Sequence, residues 1–242
     1  MNKIVKDDST CVAIDNFILG VIDRPDIPIV FWDTCALLNI IRFIYREDGS
    51  DLQFINKIID IYSKIQKDDV FSVSCEINIS EWNDNIDKTL SDFSESLKRT
   101  TDYHKNAINV INVLKGTTKV SESLILDNLD SELQNIALAI IGKTQFLKIN
   151  SEISFNALRR VVQKDPPAQR KNEFKDCAIW ETMLELNRKL NSLGLIQKRV
   201  FYTINTEDFC DKNGSFLFRL SSEATTWGFV CATKLGDVLR LL

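Results

Sequence analysis

Four short apolar runs, set among long amphipathic stretches, narrow the choice of folds more than anything else in the chain. They are residues 27–32 (IPIVFW), 70–74 (VFSVS), 199–204 (RVFYTI) and 228–232 (GFVCA). The first is continuously apolar rather than alternating, as expected of a strand buried on both faces, and Pro28 sits at its start, where a missing N–H is tolerated. Directly after Asp33 the apolar residues Leu37, Ile41 and Ile44 recur at helical spacing, widened by Leu38 and Ile40. No tight hairpin signal joins the runs. The pattern therefore predicts an α/β chain with a parallel sheet covered by helices on both faces. At 242 residues it is read as one elaborated domain.

The remaining segments read as helices. Residues 11–21 suit a short amphipathic helix. Asp48-Gly49-Ser50 breaks the chain, and Ser50 or Asp51 then caps a helix striped by Phe54, Ile58, Ile61 and Ile65. A helix starting near Cys75 carries Ile77, Ile79 and Trp82, and residues 83–165 are expected to be mostly helical. Two stripes mark that stretch: Ala107, Val110, Ile111 and Leu114, then Leu133, Ile136, Ala137, Ile140 and Ile141, with a break at Gly116-Thr117-Thr118. Phe93, Leu97, Ile108 and Ile111 are read as packing residues. Pro166-Pro167 closes the section, because neither proline continues a helix. A long helix is expected over 172–193, with Ala178, Ile179, Met183, Leu186 and Leu190 on one face.

Composition excludes several classes. Only 8 Gly and 4 Pro argue against long disordered linkers, and no run approaches the roughly 18 apolar residues of a membrane span. The opening MNKIVKDDST lacks a signal-peptide core, and six scattered cysteines without a CxxC read as reduced and buried, so a cytoplasmic protein is expected. The net charge of −4 offers no global attraction to nucleic acid. Locally, Arg159, Arg160, Lys164, Arg170, Lys171 and Lys175 face only Asp165 and Glu173, which is either a solvated helix face and loop or a basic surface beside a site. The lone His104 lies in a polar stretch and reads as a surface residue, with no nucleophile turn for it to serve.

Four acids fall where strands hand over to helices: Asp33 after the first run, Glu81 in the helix after the second, Asp176 in the first turns of the long helix, and Asp208 after the third run. In a doubly wound sheet these places share the carboxyl edge, where ligands bind. Each has a plainer reading. Asp33 or Thr34 caps a helix, Glu81 is solvated, Asp176 meets a helix dipole, and Asp208 shapes a turn. Gathered together, the acids need cations, since two charges about 4 Å apart repel by roughly 1 kcal/mol in water and roughly 4 at an effective dielectric near 20. Hard oxygen donors that leave waters in place suit Mg²⁺ or Mn²⁺, and such ions serve phosphodiester hydrolysis.

IVFWDTCALL, SVSCEINISEW, FKDCAIWETML and FYTINTEDF, in this order, resemble the PIN domain, and DPPAQRKNEFKD resembles the Pro-Pro and Lys/Arg-rich stretch of its larger bacterial PIN-like branch. The resemblance covers residues 28–82 and 165–232. It implies a three-layer α/β/α fold around a mostly parallel twisted sheet of four to five strands, forming a single domain over 1–242 with a helical insertion at 83–165. It also implies metal-dependent endoribonuclease activity on RNA, with Mg²⁺ or Mn²⁺ held by Asp33, Glu81 and Asp176. Many members carry Asp directly after the third strand, whereas this chain has Asn205 there and Asp208 three residues on. Asp208 then supplies charge through water or shapes the loop. Thr34 belongs to the substrate-binding set, Thr203 and Asn205 orient water or a phosphate, and Arg170, Lys171 and Lys175 hold the RNA backbone.

The resemblance also suggests a toxin or antiviral-defence effector, a neutralising protein partner and a homo-oligomer. A second class of function is a PIN-like module that binds RNA or protein without cutting, to which Asn205 and the acidic net charge lend weight. A third is a phosphatase or DNA nuclease, because carboxylates do not identify the sugar.

Overall fold

The computed structural model describes residues 3–4, 10–45, 52–121, 123, 128–171 and 173–242. The expected break at Asp48-Gly49-Ser50 and the cap at Ser50 or Asp51 lie outside the described residues. In chain order the elements are β1 (Cys11–Val12), α1 (Ile14–Ile22), β2 (Ile29–Trp32), α2 (Thr34–Arg42), α3 (Leu52–Gln66), β3 (Phe71–Cys75), α4 (Ile77–Lys115) and α5 (Leu129–Lys143). They continue with β4 (Gln145–Leu147), α6 (Ser151–Gln163), α7 (Phe174–Ser192), β5 (Arg199–Tyr202), α8 (Thr206–Phe209), α9 (Phe218–Trp227), β6 (Val230–Ala232) and α10 (Leu235–Leu241).

The strands form one sheet in the order β1-β4-β3-β2-β5-β6, every pairing parallel. Period-two geometry sends the side chains of each buried strand to opposite faces. Val30, Trp32, Val200 and Tyr202 enter a core shared with α2, α3, α4, α5 and α10. Ile29, Phe31 and Phe201 enter another, built with α1, α7 and α9. The result is a three-layer α/β/α fold. Ile29, Val30 and Phe31 are fully buried and Trp32 nearly so. Each such side chain contributes about 1.5–3 kcal/mol of transfer free energy, which is why β2 forms the centre of the sheet.

Among the described residues the sheet has six strands, not four to five. Cys11–Val12 is a strand rather than the start of a helix, and β4 lies within the stretch expected to be helical. Two- and three-residue strands carry no periodicity of their own and are stabilised by pairing with a neighbour. Among the other expectations, α7 starts at Phe174 and Asn172 lies outside the described residues. Ile44 lies beyond the end of α2. On α4 the last buried side chain is Phe93, and Val110 and Leu114 of the expected stripe are exposed. Helix α6 ends at Gln163 with Lys164 as a left-handed cap, and a cis Pro166–Pro167 bond follows.

Candidate active site

Strand β2 is central, with β3 on one side and β5 on the other; the chain leaves β2 towards β3 and leaves β5 in the opposite direction, towards β6. That reversal opens a crevice at the carboxyl edge, the place where α/β sheets bind ligands. Asp33 ends β2, its amide donating to Tyr202 O of β5 at 3.0 Å. Glu81 lies just over one turn into α4, which follows β3, and Asp176 lies in the first turn of α7. Asp208 lies on the short α8 after β5. All four line one cleft of about 250 Å³, together with Thr34, Lys171 and Asn205.

The strand end that presents Asp33 is fastened from beneath. The Trp32 carbonyl accepts from Ser74 Oγ at 2.8 Å and from Asn78 Nδ2 at 2.9 Å. Although Asp33 sits at the N-cap of α2, its side chain makes no capping hydrogen bond. Its Oδ2 instead accepts from Thr203 Oγ1 at 2.5 Å and from Cys35 Sγ at 2.8 Å. Burial raises the Asp33 pKa, and the bonds from Cys35 and Thr203 oppose that rise. Burial, with Asp33 alongside, holds the Cys35 thiol well above its ordinary value, so it stays a proton donor.

Glu81 Oε2 accepts from Thr34 Oγ1 at 2.8 Å, and Oε1 lies 3.8 Å from Lys175 Nζ. Burial raises the Glu81 pKa, Thr34 counters it, and the Asp33 charge adds to the rise. Asp176 is pushed up to about 8 by burial first and then by Asp33, Asp208 and Glu81. No side-chain donor among the described residues meets its carboxylate, which lies in the first turn of α7.

Asp208 is buried. Its Oδ2 accepts from Asn205 Nδ2 at 3.1 Å, while Oδ1 has no hydrogen-bond partner. The Asn205 side chain also accepts from the Asp208 amide at 3.3 Å, and both residues line the cleft.

These observations test whether a divalent ion suits the residues present. A buried carboxylate without donors, a second with an orphaned oxygen and mutual repulsion among the four are relieved by a cation. Oxygen donors suit Mg²⁺ or Mn²⁺. Among the described residues, no group of three or more His, Cys, Asp or Glu side chains is placed as it stands to hold a metal ion. The acids face one another across the cleft.

The expected backbone-binding residues divide. Lys175 reaches Glu81, and Lys171 bonds Glu207 Oε2 at 2.5 Å and lies 3.9 Å from Asp208. Arg170 donates to the Glu207 carbonyl. All three are exposed at the rim. Thr203 is fully buried and committed to Asp33, so it positions a carboxylate and does not face solvent. Arg160, part of the same basic run, is internal and bonds Glu181, Glu223 and the Pro166 carbonyl. His104 is exposed, near Ser121. Sequence reasoning missed Cys35, Arg42, Asn85 and Glu173, which also line the cleft. The four-residue spacing of Arg42 and Asn85 from Leu38 and Glu81 was the available signal.

The PIN domain family model matches residues 30–209, about three quarters of the chain and all four acids. The chain belongs to the PIN domain family, whose members are generally metal-dependent nucleases that act on nucleic acid. No curated protein and no solved structure matches the chain. Among the described residues, no helix is long and apolar enough to cross a membrane.

Proposed function

We propose that the protein is an endoribonuclease that hydrolyses RNA phosphodiester bonds in this cleft, with Mg²⁺ or Mn²⁺ held by Asp33, Glu81 and Asp176 and supported by Asp208. The observation that carries the reading is the Asp176 carboxylate, which is largely buried, faces further acids across one cleft and meets no side-chain donor among the described residues. A bound divalent ion supplies the charge that polarises a phosphoryl oxygen and makes water a better nucleophile near neutral pH.

The chain's own part is positioning. Thr203 and Cys35 clamp one oxygen of Asp33, and Thr34 fixes one oxygen of Glu81. Neither carboxylate then has to reorganise when an ion and a phosphate arrive. Asn205 orients Asp208. Lys175, Lys171 and Arg170 stand at the rim, where they hold phosphates without reading bases. Such a cutter does little to spare the cell's own RNA, which favours a toxin or antiviral-defence effector restrained by a protein partner. An RNA substrate and six free thiols support reading it as a cytoplasmic protein. The whole of residues 1–242 is read as one PIN-like domain.

The test is Asp33→Asn with a mixed RNA pool and Mn²⁺. Cleavage should disappear while the melting temperature and circular dichroism stay near those of the parent. Undiminished Mn²⁺-dependent cleavage in the variant removes the proposal. A parent protein that binds RNA but never cuts it supports the binding-module reading, which Asn205 in the family's acidic place favours. Equal cleavage of DNA of the same sequence withdraws the ribonuclease assignment in favour of a general nuclease.

A further inference from the structure

Helices α2 and α4 pack side by side, and their facing residues repeat with the same step. Thr34, Leu38 and Arg42 stand four apart on α2, and Glu81, Asn85 and Thr89 stand four apart on α4, so each set lies along one helical face. The two sets meet in register. Thr34 Oγ1 donates to Glu81 Oε2 at 2.8 Å at one end. At the other, Arg42 Nε and Nη2 donate to Thr89 Oγ1 at 3.1 and 2.8 Å. Thr34, Leu38, Arg42, Glu81 and Asn85 all line the cleft. The cleft therefore continues from the acids along the seam between two helices, for about 12 Å at the helical rise of eight residues.

Arg42 closes the far end of that seam. It is half-buried and pairs with no carboxylate among the described residues, and its acceptor is the hydroxyl of a fully buried threonine. A guanidinium presents five donors in a rigid fork, of which Thr89 engages two. A fixed guanidinium in a cleft, with no carboxylate partner among the described residues, suits a phosphate. Asn85 donates to the Glu81 carbonyl at 2.8 Å, which leaves its carbonyl oxygen for the cleft. Leu38 supplies an apolar surface between the polar rungs.

We propose that the α2–α4 seam is the track along which a single-stranded RNA backbone leaves the acids, with Arg42 anchoring a phosphate beyond the one that reacts. The proposal rests on the nuclease reading above and adds a cationic wall opposite Lys171 and Lys175. Thr89 acts as the positioning residue for Arg42. Contacts of this kind fix the strand's path and carry no base preference.

The test measures binding of a fluorescein-labelled, mixed-sequence single-stranded RNA by anisotropy across a salt series, in an Asp33→Asn background with Mn²⁺. Arg42→Met should weaken binding about tenfold and reduce the slope of log affinity against log salt by about one. Arg42→Lys should retain the slope and part of the affinity. Thr89→Val keeps the charge but releases the fork, and should give a smaller loss at an unchanged slope. In the cutting-competent protein, Arg42→Met should raise KM with little change in kcat. If Arg42→Met does not fold, Arg42→Lys and Thr89→Val carry the test, and wild-type binding in both overturns the track. Folded Arg42→Met with parental affinity and slope also overturns the track and leaves the nuclease reading standing. An Asp33→Asn protein with no measurable affinity for RNA overturns both.

Discussion

Helix α7 touches two clusters of buried charge built in opposite ways. At Glu181, Arg160 bonds Glu181 Oε1 at 2.5 Å, Glu223 at 2.8 and 2.9 Å and the Pro166 carbonyl at 2.7 Å. Trp180 Nε1 adds a bond to Glu223 at 2.7 Å. Burial alone would lower the Arg160 pKa, but Glu181 and Glu223 outweigh it and raise it. Five residues earlier on the same helix, burial and then the like charges of Asp33, Asp208 and Glu81 raise the Asp176 pKa. The chain supplies a matching buried cation for one cluster, whereas the other has only exposed lysines beside it, Lys175 at 3.8 Å from Glu81 and Lys171 at 3.9 Å from Asp208. Buried charge closed by its own partners fastens α6, α7 and α9 together. Buried charge left open is a hallmark of sites that work on something else.

The contrast predicts effects of different size and sign. The largest on stability belongs to the closed cluster. Arg160→Met leaves the buried Glu181 and the half-buried Glu223 with much of their compensation removed, and should cost about 3–5 kcal/mol in denaturant unfolding. A loss below about 1 kcal/mol would erase the distinction between the clusters.

The open cluster should respond with the opposite sign. Asp176 titrates at about 8 in the folded chain, against an ordinary value of 3.8. Below pH 4 both folded and unfolded chains hold the proton, and the group costs nothing. Between about pH 4 and pH 8 the unfolded chain releases it first, so ion-free stability falls as pH rises, by about 1–4 kcal/mol. Asp176→Asn should flatten that fall and make the ion-free protein more stable at pH 8. Mn²⁺ should raise the parent's melting temperature more at pH 8 than at pH 6, since binding displaces a proton, and should hardly move the variant. A stability curve unchanged by Asp176→Asn between those pH values would place the acid outside the repelling group.

The smallest effect sharpens the boundary of the open cluster. Lys175 is exposed and lies 3.8 Å from Glu81, so Lys175→Ala should change stability by about 0–1 kcal/mol. Its loss should weaken RNA binding by less than that of Arg42, in a salt-dependent way. If Lys175→Ala abolishes binding of Mn²⁺, the lysine belongs to the ion's surroundings and not to the rim.

Much of the layout was legible in the chain because burial writes itself into runs of apolar residues. β2, β5 and β6 fall within three of the apolar runs, β3 overlaps the fourth and runs one residue past it to Cys75, and α7 follows its stripe to within a few residues. β1 and β4 escaped because so few residues specify no period, and their identity comes from each other and from β3. The four acids could be nominated from their positions after strands or at helix starts, and the structure places all four on one cleft. Arg160 and Thr203 were misjudged as candidates for solvent or substrate, because sequence shows that a residue is polar and not who satisfies it. Arg42 and Asn85 were overlooked for a related reason. Their spacing on each helix is visible, but it acquires meaning only once α2 is known to lie against α4.

The pairing of β1 with β4 has a practical consequence for anyone trimming this protein to a minimal nuclease. Residues 83–165 look dispensable, yet excising them would remove β4, which separates β3 from β1. The first strand would then lose its neighbour, and β3 would present a raw backbone edge to other molecules, inviting sheet-to-sheet sticking. A shortened version would have to keep residues 145–147 stitched between the two strands, or supply a substitute strand in their place.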